Sequence, residues 1–296
     1  MVPDASIIIL TKNAGRRFEE VLGGVESQAF PGEVEVVVVD SGSTDGTLQR
    51  ARSFGANIYE IDPDEFHHSR TRNYGAQRAR GDAIVYLTHD AVPRDDQWLG
   101  ELVNPVLHDS AAAAYGRQVA YPDAKPMDEF FYSYFYPDER DVLTPEETEN
   151  ERRFFLDNVF VSDVSSAIDR SVWEQFPFRD SVAMSEDKDF ALRVLQNGKK
   201  IVYEPAATVY HSHDYDILSQ FRRRYRDGQA YANIAREGDG TFISEGIDYV
   251  ASELRYLVSN GHAHWVPYAV AYDFAHFLGF ESGKRLGQIR EGASRA

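Results

Sequence analysis

The sequence has no cysteine and only six lysines among its 296 residues. The absence of cysteine excludes disulfides and thiolate metal sites, so any bound metal must be held by aspartate, glutamate, histidine or water. No stretch approaches the roughly 18 consecutive apolar residues of a membrane span, and the first residues lack the basic region and cleavage site of a signal peptide. We therefore expect a cytoplasmic protein.

Positive charge is also scarce, because 48 acidic residues face 31 basic ones and the net charge is −17. Such an excess of negative charge argues against general binding of nucleic acid. An acidic, lysine-poor surface is a common adaptation to high intracellular salt, where screening removes self-repulsion. A halophilic source is one interpretation of this composition, and a GC-rich genome with a solubilising surface is the other.

Two stretches near the start look like buried strands with polar tips. Residues 34–39 are almost all valine and residues 6–10 are mostly isoleucine and leucine, without the polar alternation of a half-exposed strand. Residues 34–39 are followed by Asp40 and a small polar turn that contains Gly42, and residues 6–10 are followed by Thr11 and Asn13. Ligands of open α/β sheets bind outside the carboxyl ends of the strands. The two tips therefore predict a nucleotide site, and ordinary buried strands with Asx turns are the alternative.

Alternation of strands and helices continues through the first hundred residues. The pattern predicts helices near 16–28, 45–54 and 70–80 and strands at 57–60 and 83–87, as in a mainly parallel sheet with helices on both faces. Residues 126–155 are aromatic, acidic and interrupted by proline, which favours a loop or lid facing an acceptor. Further on we predict strands at 159–161, 165–168 and 201–203, a helix over 187–197 ended by Gly198, and helices after 215.

An ordered set of motifs across residues 6–230 resembles the family 2 inverting glycosyltransferases of the GT-A fold, and most closely their rhamnosyltransferase-type members. The motifs are SIIILTKN, VVVVDSGSTDGT, FHHSRTRNYGAQRARGD, IVYLTHDAVP, SEDKDFALRVLQNGKKIVYEP and VYHSHDY. The resemblance implies a three-layer α/β/α, Rossmann-like domain over 1–215, with a donor half to about 110 and an acceptor half after it. A C-terminal helical extension would occupy 216–296.

The resemblance also assigns the donor site. It places Thr11, Asn13, Asp40 and position 42 of the turn in the nucleoside pocket, with Asp40 at the pyrimidine ring. It places Arg72 near the diphosphate, where a guanidinium pairs well with phosphate oxygens, and it allows His68 to touch phosphate. A solvent-exposed arginine on a helix is the alternative for Arg72.

The metal and catalytic residues are assigned in the same way. Asp90 would bind Mg²⁺ or Mn²⁺, and one or both of His211 and His213 would complete the metal or phosphate site. The family's usual acidic pair reads Thr88-His89-Asp90 here, so only its last aspartate is kept. Asp187 would be the base that activates the acceptor hydroxyl, with Glu186 as a supporting carboxylate. A turn cap for Asp90 and a helix-capping role for the acidic pair are the alternatives.

The resemblance implies an inverting transfer from a nucleoside diphosphate sugar, with dTDP-rhamnose as the favoured donor, to a glycan or polyprenyl-linked acceptor. The same chemistry with a UDP- or GDP-hexose and a catalytically silent nucleotide-sugar-binding subunit are the alternatives. Peripheral membrane contact through an arginine cluster at 222–226 and an aromatic segment at 264–280 is also open. For the arginine cluster, pairing with the many acidic side chains at the helix surface is favoured instead. For the aromatic segment, packing as a helix against the catalytic domain is favoured.

Overall fold

The computed structural model of the chain describes residues 3–145, 161–182, 185–234 and 243–295. Its residues divide into two compact units, the first comprising Met1–Val119 and Tyr136–His211 and the second Ala120–Phe135 and Ser212–Ala296. The division at 211 lies close to the predicted boundary at 215. It differs in that residues 120–135, which fall in the predicted acceptor half, group with the C-terminal helices instead.

The first unit is built on one mixed sheet, which contains nine strands within the part of the chain that the structure describes. The strands are β1 Ala5–Thr11, β2 Val34–Asp40, β3 Asn57–Glu60, β4 Ala83–Leu87, β5 Val92–Pro93, β6 Ala113–Val119, β7 Asp141–Leu143, β8 Ser165–Asp169 and β9 Ile201–Tyr210. The order across the sheet is β3-β2-β1-β4-β8-β6-β9-β5, and β7 pairs with β9 off this path. The first four strands are parallel, whereas β8 runs antiparallel to both β4 and β6. Sequence patterning predicts the parallel half well, because β1, β2 and β3 are each followed by a helix.

Helices cover both faces of this sheet. They are α1 Arg17–Glu26, α2 Thr47–Phe54, α3 His68–Arg78, α4 Trp98–Leu107, α6 Arg170–Gln175 and α7 Glu186–Gln196, with α5 belonging to the other unit. Ile7 and Ile9 lie in a buried cluster with side chains of α1 and α4. Ile8 points the other way, towards Gly75 of α3, where an added Cβ would lie only 2.6 Å from the Ile8 methyl group. Both faces of β1 are thus buried, which accounts for its unbroken apolar sequence.

The aromatic segment predicted as a loop or lid begins instead as a helix, α5 Pro126–Phe135. This helix packs in the second unit, where the Phe130 ring lies 5.3 Å from that of Tyr249 and 5.4 Å from that of Tyr256. The prediction of a loop over residues 126–135 is therefore wrong, because the aromatic side chains find partners far along the chain. Residues 146–155 of that prediction, and most of the strand predicted at 159–161, lie outside the described residues.

The remaining helices of the second unit are α8 Ile217–Ile234, α9 Ile243–Ser259 and α10 Val266–Arg295. Pro267 lies in the first turn of α10, where its missing N–H costs no helical hydrogen bond. Glycines allow α8 and α10 to approach closely. A Cβ on Gly279 or Gly283 would collide with the carbonyl oxygen of Phe221 or Tyr225, respectively. Among the described residues, no helix combines the length and apolarity needed to cross a membrane.

A buried pair of carboxyl groups joins α9 to α10. Glu253 is only 1% exposed. Glu253 Oε2 and Asp273 Oδ2 are buried and accept no hydrogen bond from any other group, so the two carboxyl groups can bond to each other only by sharing a proton. Burial, and then the hydrogen bond to Asp273 and its charge, raise the pKa of Glu253 to about 9. Burial also raises the pKa of Asp273. At neutral pH the pair therefore holds a proton that the unfolded chain releases.

We expect this pair to destabilise the fold as pH rises. Since the folded pKa of Glu253 exceeds the unfolded value, the stability contributed by the bound proton is lost as pH rises from the unfolded towards the folded pKa. Glu253→Gln keeps a hydrogen-bond donor without the proton, so its melting temperature should fall less between pH 5 and pH 8.5 than that of the wild type. Glu174→Gln, at an exposed position, is the matched control. Equal slopes for wild type and E253Q would contradict the proton-sharing interpretation.

Candidate active site

The tips of β1 and β2 meet at Thr11 and Asp40, which are paired in register. The Thr11 hydroxyl donates to Asp40 Oδ2 at 2.7 Å, and Asp40 also accepts hydrogen bonds from the Gly42 and Ser43 backbone N–H groups at 3.0 and 2.8 Å and from the Ser43 hydroxyl. Asp40 is fully buried, whereas Gly42 is exposed. The carboxylate thus holds the turn in shape and presents no surface of its own to a ligand. This differs from the predicted direct contact with a pyrimidine ring.

Asn13 ties the loop after β1 to the loop after β2. Its backbone N–H donates to the Ser43 hydroxyl at 2.7 Å, and its side-chain oxygen accepts from the Thr44 N–H at 2.8 Å. Asn13 adopts a φ of +48°, a left-handed conformation that asparagine tolerates better than most residues. The result is an exposed rim of small polar groups with a defined backbone.

Successive contacts connect this rim to the acidic residues further along the sheet. The His89 ring hydrogen bonds to the Leu10 carbonyl oxygen at 3.2 Å, and the Thr88 N–H donates to the Val164 carbonyl oxygen at 3.1 Å. On the far side, the Asp163 N–H lies 3.4 Å from Asp187 Oδ2. The segments that carry Asp40, Asp90 and Asp187 therefore follow one another along the carboxyl edge of β1, β2 and β4 and the start of β8.

Arg72 of α3 lies at the centre of the acidic cluster. Its Nε is 3.2 Å from Asp163 Oδ2, and its Nη1 forms a short ion pair with Glu186 at the start of α7. The Arg72 side chain is 11% exposed, and those of Asp163 and Glu186 are 4% and 6% exposed. In this structure Arg72 is thus committed to carboxylates rather than left open for a diphosphate, which differs from its predicted placement.

Burial and charge act in opposite directions on this cluster. Burial alone would lower the pKa of the Arg72 guanidinium, but Glu186 and Asp163 outweigh it and raise that pKa. Burial raises the pKa of Asp163 to about 7, although Arg72 opposes the shift. Burial and the charge of Glu186 raise the pKa of Asp187 as well. One cation therefore faces three carboxyl groups. Hydrogen bonds stabilise the charged form of a carboxyl group, so the carboxylate that accepts the fewest of them is the best proton acceptor.

The Asp187 carboxylate is partly exposed and is oriented by a backbone hydrogen bond. It is less buried than Glu186, and its Oδ1 accepts the Lys188 N–H at 2.8 Å. The preceding Ser185 has φ of +64° and makes no side-chain capping hydrogen bond. A strained, non-glycine residue directly before an acidic pair is typical of functional turns.

Asp90 and His211 form a second polar cluster within the first unit. His211 Nε2 lies 3.8 Å from Asp90 Oδ1, and His211 Nδ1 lies 2.8 Å from the Gln118 side-chain oxygen. Gln118 donates its amide N–H to the Tyr136 hydroxyl at 2.7 Å, so its oxygen must accept from His211. A neutral imidazole then turns its Nε2 lone pair towards Asp90, and a divalent cation fits between two such ligands.

The other predicted residues lie as follows. His68 begins α3, and its ring nitrogen is 3.4 Å from Arg72 Nη1. His213 is exposed and lies in the second unit, where its ring is 5.1 Å from that of Tyr215. Because β9 ends at Tyr210, His211 and His213 do not share a strand face.

Sequence analysis did not identify Asp163 as a site residue. The only indication of it in the sequence is its position just before the short strand β8.

The sequence also matches a known protein family. The model of glycosyl transferase family 2 matches residues 6–176. The chain belongs to glycosyl transferase family 2. It is therefore a nucleotide-sugar glycosyltransferase, and the predicted family and enzyme class are confirmed.

Two curated relatives cover almost the whole chain. The O-antigen chain rhamnosyltransferase WbaN of Salmonella anatum is 32% identical over 96% of this chain and 90% of its own. RfbN of Salmonella typhimurium, also an O-antigen chain rhamnosyltransferase, is 32% identical over 94% of this chain and 89% of its own. The predicted likeness to rhamnosyltransferase-type members is confirmed.

Solved structures confirm the fold. The mannosyltransferase PcManGT from Pyrobaculum calidifontis, in complex with GDP-Man and Mn²⁺, has a TM-score of 0.61 at 18% identity, over 98% of this chain and 88% of its own. TarS 1–349 from S. aureus, in complex with UDP, has a TM-score of 0.54 at 15% identity, over 98% of this chain and 92% of its own. The predicted GT-A fold with additional C-terminal helices thus holds for this chain.

We expect Arg72→Gln to destabilise the protein strongly. The substitution leaves buried carboxyl groups without their cation, and removal of one partner from a buried ion pair costs about 3–5 kcal/mol. The loss should be greater at pH 8 than at pH 5, where protons can neutralise the cluster. Chemical denaturation at both pH values measures it, with the exposed neighbour Arg70→Gln as control. Equal small losses for both variants would refute the central role of Arg72.

Proposed function

We propose that the protein transfers rhamnose from dTDP-rhamnose, with inversion, to a hydroxyl group of an O-antigen-type glycan intermediate. The observation that carries this proposal is the 32% identity to WbaN across 96% of this chain. That relative is an O-antigen chain rhamnosyltransferase, and the likeness extends through both units instead of the family domain alone. A polyprenyl-linked form of the acceptor is part of the proposal.

In the proposed reaction Asp187 is the base. It takes the proton of the acceptor hydroxyl as that oxygen bonds to the anomeric carbon of the donor. The bond from the anomeric carbon to the phosphate oxygen breaks on the opposite face, and the nucleoside diphosphate departs with the electron pair. A raised pKa suits this role, since it makes the carboxylate a stronger proton acceptor. Glu186 supports the base by keeping Arg72 in place beside it.

We propose that Thr11, Asn13 and Asp40 act together at the nucleoside. Thr11 and Asp40 would set the shape of the turn, so that Gly42 and its neighbours offer backbone groups to the nucleobase and ribose. In this version Asp40 orders the pocket indirectly, consistent with its complete burial. His68 would approach the diphosphate from the start of α3. Arg72 would pair with the carboxylates of Asp163 and Glu186, and it would affect the diphosphate only indirectly, by holding those carboxylates in place.

Asp90, His211 and His213 are the residues that would hold a divalent ion, Mg²⁺ or Mn²⁺. His213 lies two residues after His211 in the chain and is the third proposed ligand, after Asp90 and His211 of the first unit. The imidazole ligands favour Mn²⁺ over Mg²⁺. The bound ion would neutralise the diphosphate charge as the leaving group departs.

Asp187→Asn tests the proposed base. We expect it to lower the rate of rhamnosyl transfer by about a hundredfold or more while dTDP-rhamnose still binds, because the amide cannot take a proton. The assay mixes the enzyme with dTDP-rhamnose and a glycan that can accept rhamnose, and NMR assigns the anomeric configuration of the product. The matched control is Asp180→Asn, an exposed acid of the same region. Faster turnover with UDP- or GDP-hexoses would reject rhamnose as donor, and wild-type protein that binds donors without turnover would favour a silent binding subunit.

Thermal shift tests the proposed metal site. Mn²⁺ together with dTDP should raise the melting temperature of the wild type, since a ligand at a hundred times its Kd adds about 2.7 kcal/mol of stability. Asp90→Ala should lose the part of the shift that depends on Mn²⁺, whereas Asp96→Ala, an exposed acid nearby, should retain it. A Mn²⁺-dependent shift that survives in D90A would exclude Asp90 as a ligand.

A further inference from the structure

A buried glutamine lies behind the proposed metal ligand His211. Gln118 of β6 is only 3% exposed, and a buried amide costs free energy unless its polar groups find partners. Its Nε2 donates to the Tyr136 hydroxyl at 2.7 Å, and its Oε1 lies 2.8 Å from His211 Nδ1. Tyr136 and His211 are themselves 6% and 7% exposed. These three buried side chains form a hydrogen-bonded row, the Gln118 network, which ends at the imidazole ring.

Backbone hydrogen bonds fix the position of each member of the Gln118 network. The His211 N–H donates to the Val119 carbonyl oxygen at 2.8 Å, which holds this residue beside the end of β6. Arg117 Nε donates to the Tyr136 carbonyl oxygen at 3.0 Å, which ties that residue to the same strand. The pairing of β6 with β9 also shifts register directly before Arg117. Irregularities of this kind are common beside active sites, where they redirect the side chains that follow.

The direction of the hydrogen bonds determines which ring nitrogen of His211 carries the proton. Because Gln118 Oε1 can only accept, His211 Nδ1 must donate, and the lone pair on His211 Nε2 is left to face Asp90. If the amide were turned over, it would donate to Nδ1, and the ring proton would sit on Nε2, where it would block a metal. His211 Nε2 lies 3.8 Å from Asp90 Oδ1, which is longer than a hydrogen bond. The geometry therefore matches the tautomer that can bind a metal.

We propose that Gln118 is a positioning residue that keeps His211 in the tautomer that binds a divalent cation, and that Tyr136 anchors its amide. This inference rests on the metal site of the proposed function and extends it to two residues outside the ligand set. Loss of the group that accepts from a ligating histidine typically lowers metal affinity by about 10- to 100-fold. An amide also has a donor end, and the Tyr136 hydroxyl supplies the acceptor which that end needs.

Mn²⁺ binding in the presence of dTDP, measured by EPR of the free ion, tests the proposal on the full-length protein. Gln118→Leu should weaken Mn²⁺ binding by about 10- to 100-fold, because His211 loses its acceptor. Gln118→Glu should bind Mn²⁺ at least as tightly as the wild type, because a carboxylate can only accept and keeps the proton on His211 Nδ1. A purely structural role of the buried amide predicts the reverse, since a buried charge disturbs packing more than leucine does.

Nitrogen NMR of the histidine rings gives a second measurement, on the metal-free protein. We expect His211 to be protonated on Nδ1 in the wild type and in Q118E, and to populate both tautomers in Q118L. Tyr136→Phe should also populate both tautomers and weaken Mn²⁺ binding, because either orientation of the amide then leaves one of its ends without a partner. The matched control is Tyr203→Phe. It removes another buried hydroxyl, which donates to the Pro137 carbonyl oxygen at 2.7 Å, and should change neither measurement.

Several outcomes would overturn the proposal. They are equal Mn²⁺ affinity of Q118L and the wild type, Mn²⁺ binding by Q118E as weak as that by Q118L, and protonation of His211 on Nε2 in the metal-free wild type. Failure of the metal site itself has a different signature. A wild type that binds no Mn²⁺, yet loses the Nδ1–H tautomer in Q118L, would reject the metal site of the proposed function and support control of the tautomer by Gln118.

Discussion

The ion pairs of Arg72 with Asp163 and Glu186 are the interaction on which the proposed catalytic centre depends. They join α3 to the segment before β8 and to the start of α7, and Glu186 lies 114 residues after Arg72 in the chain. Without the guanidinium, the carboxyl groups of Asp163, Glu186 and Asp187 would repel one another in a buried environment. The single cation lets several acids stay close together and leaves a net negative charge. A site of this kind can take a proton from a neutral hydroxyl group, which is what acceptor activation requires.

The nucleotide end of the site follows a different principle. Its order comes from hydrogen bonds that neutral side chains and backbone groups make to the buried Asp40 and to Asn13. Both carboxylate oxygens of Asp40 accept hydrogen bonds within the protein, which is why we propose that it shapes the nucleoside pocket through the turn that it holds. In the proposed function, the tips of β1 and β2 therefore supply a preformed rim for the nucleotide, and the acidic cluster supplies the carboxylate that acts as base.

Much of this could be predicted, because buried parallel strands leave a strong trace in the sequence. The valine run of β2 and the isoleucine run of β1 locate the strands and therefore the carboxyl edge where the site lies. Contacts between distant segments leave no such trace. The partner of Arg72 could not be found from its own neighbours, and α5 could not be distinguished from a loop because its aromatic side chains are buried by α9. Asp163 was missed for the same reason, since its significance lies only in its contact with Arg72.

The choice of arginine over lysine matters at the centre of the acidic cluster. A guanidinium is always charged and has a planar set of donors, so Arg72 can bridge two carboxyl groups where a lysine would offer a single point of charge. Arg72 Nε faces Asp163 and Arg72 Nη1 faces Glu186, so two separate nitrogens are used. A lysine at this position would leave one of the two buried carboxyl groups without a cation, and an unpaired buried charge is strongly destabilising. Arginine therefore allows one charge to join three segments of the chain.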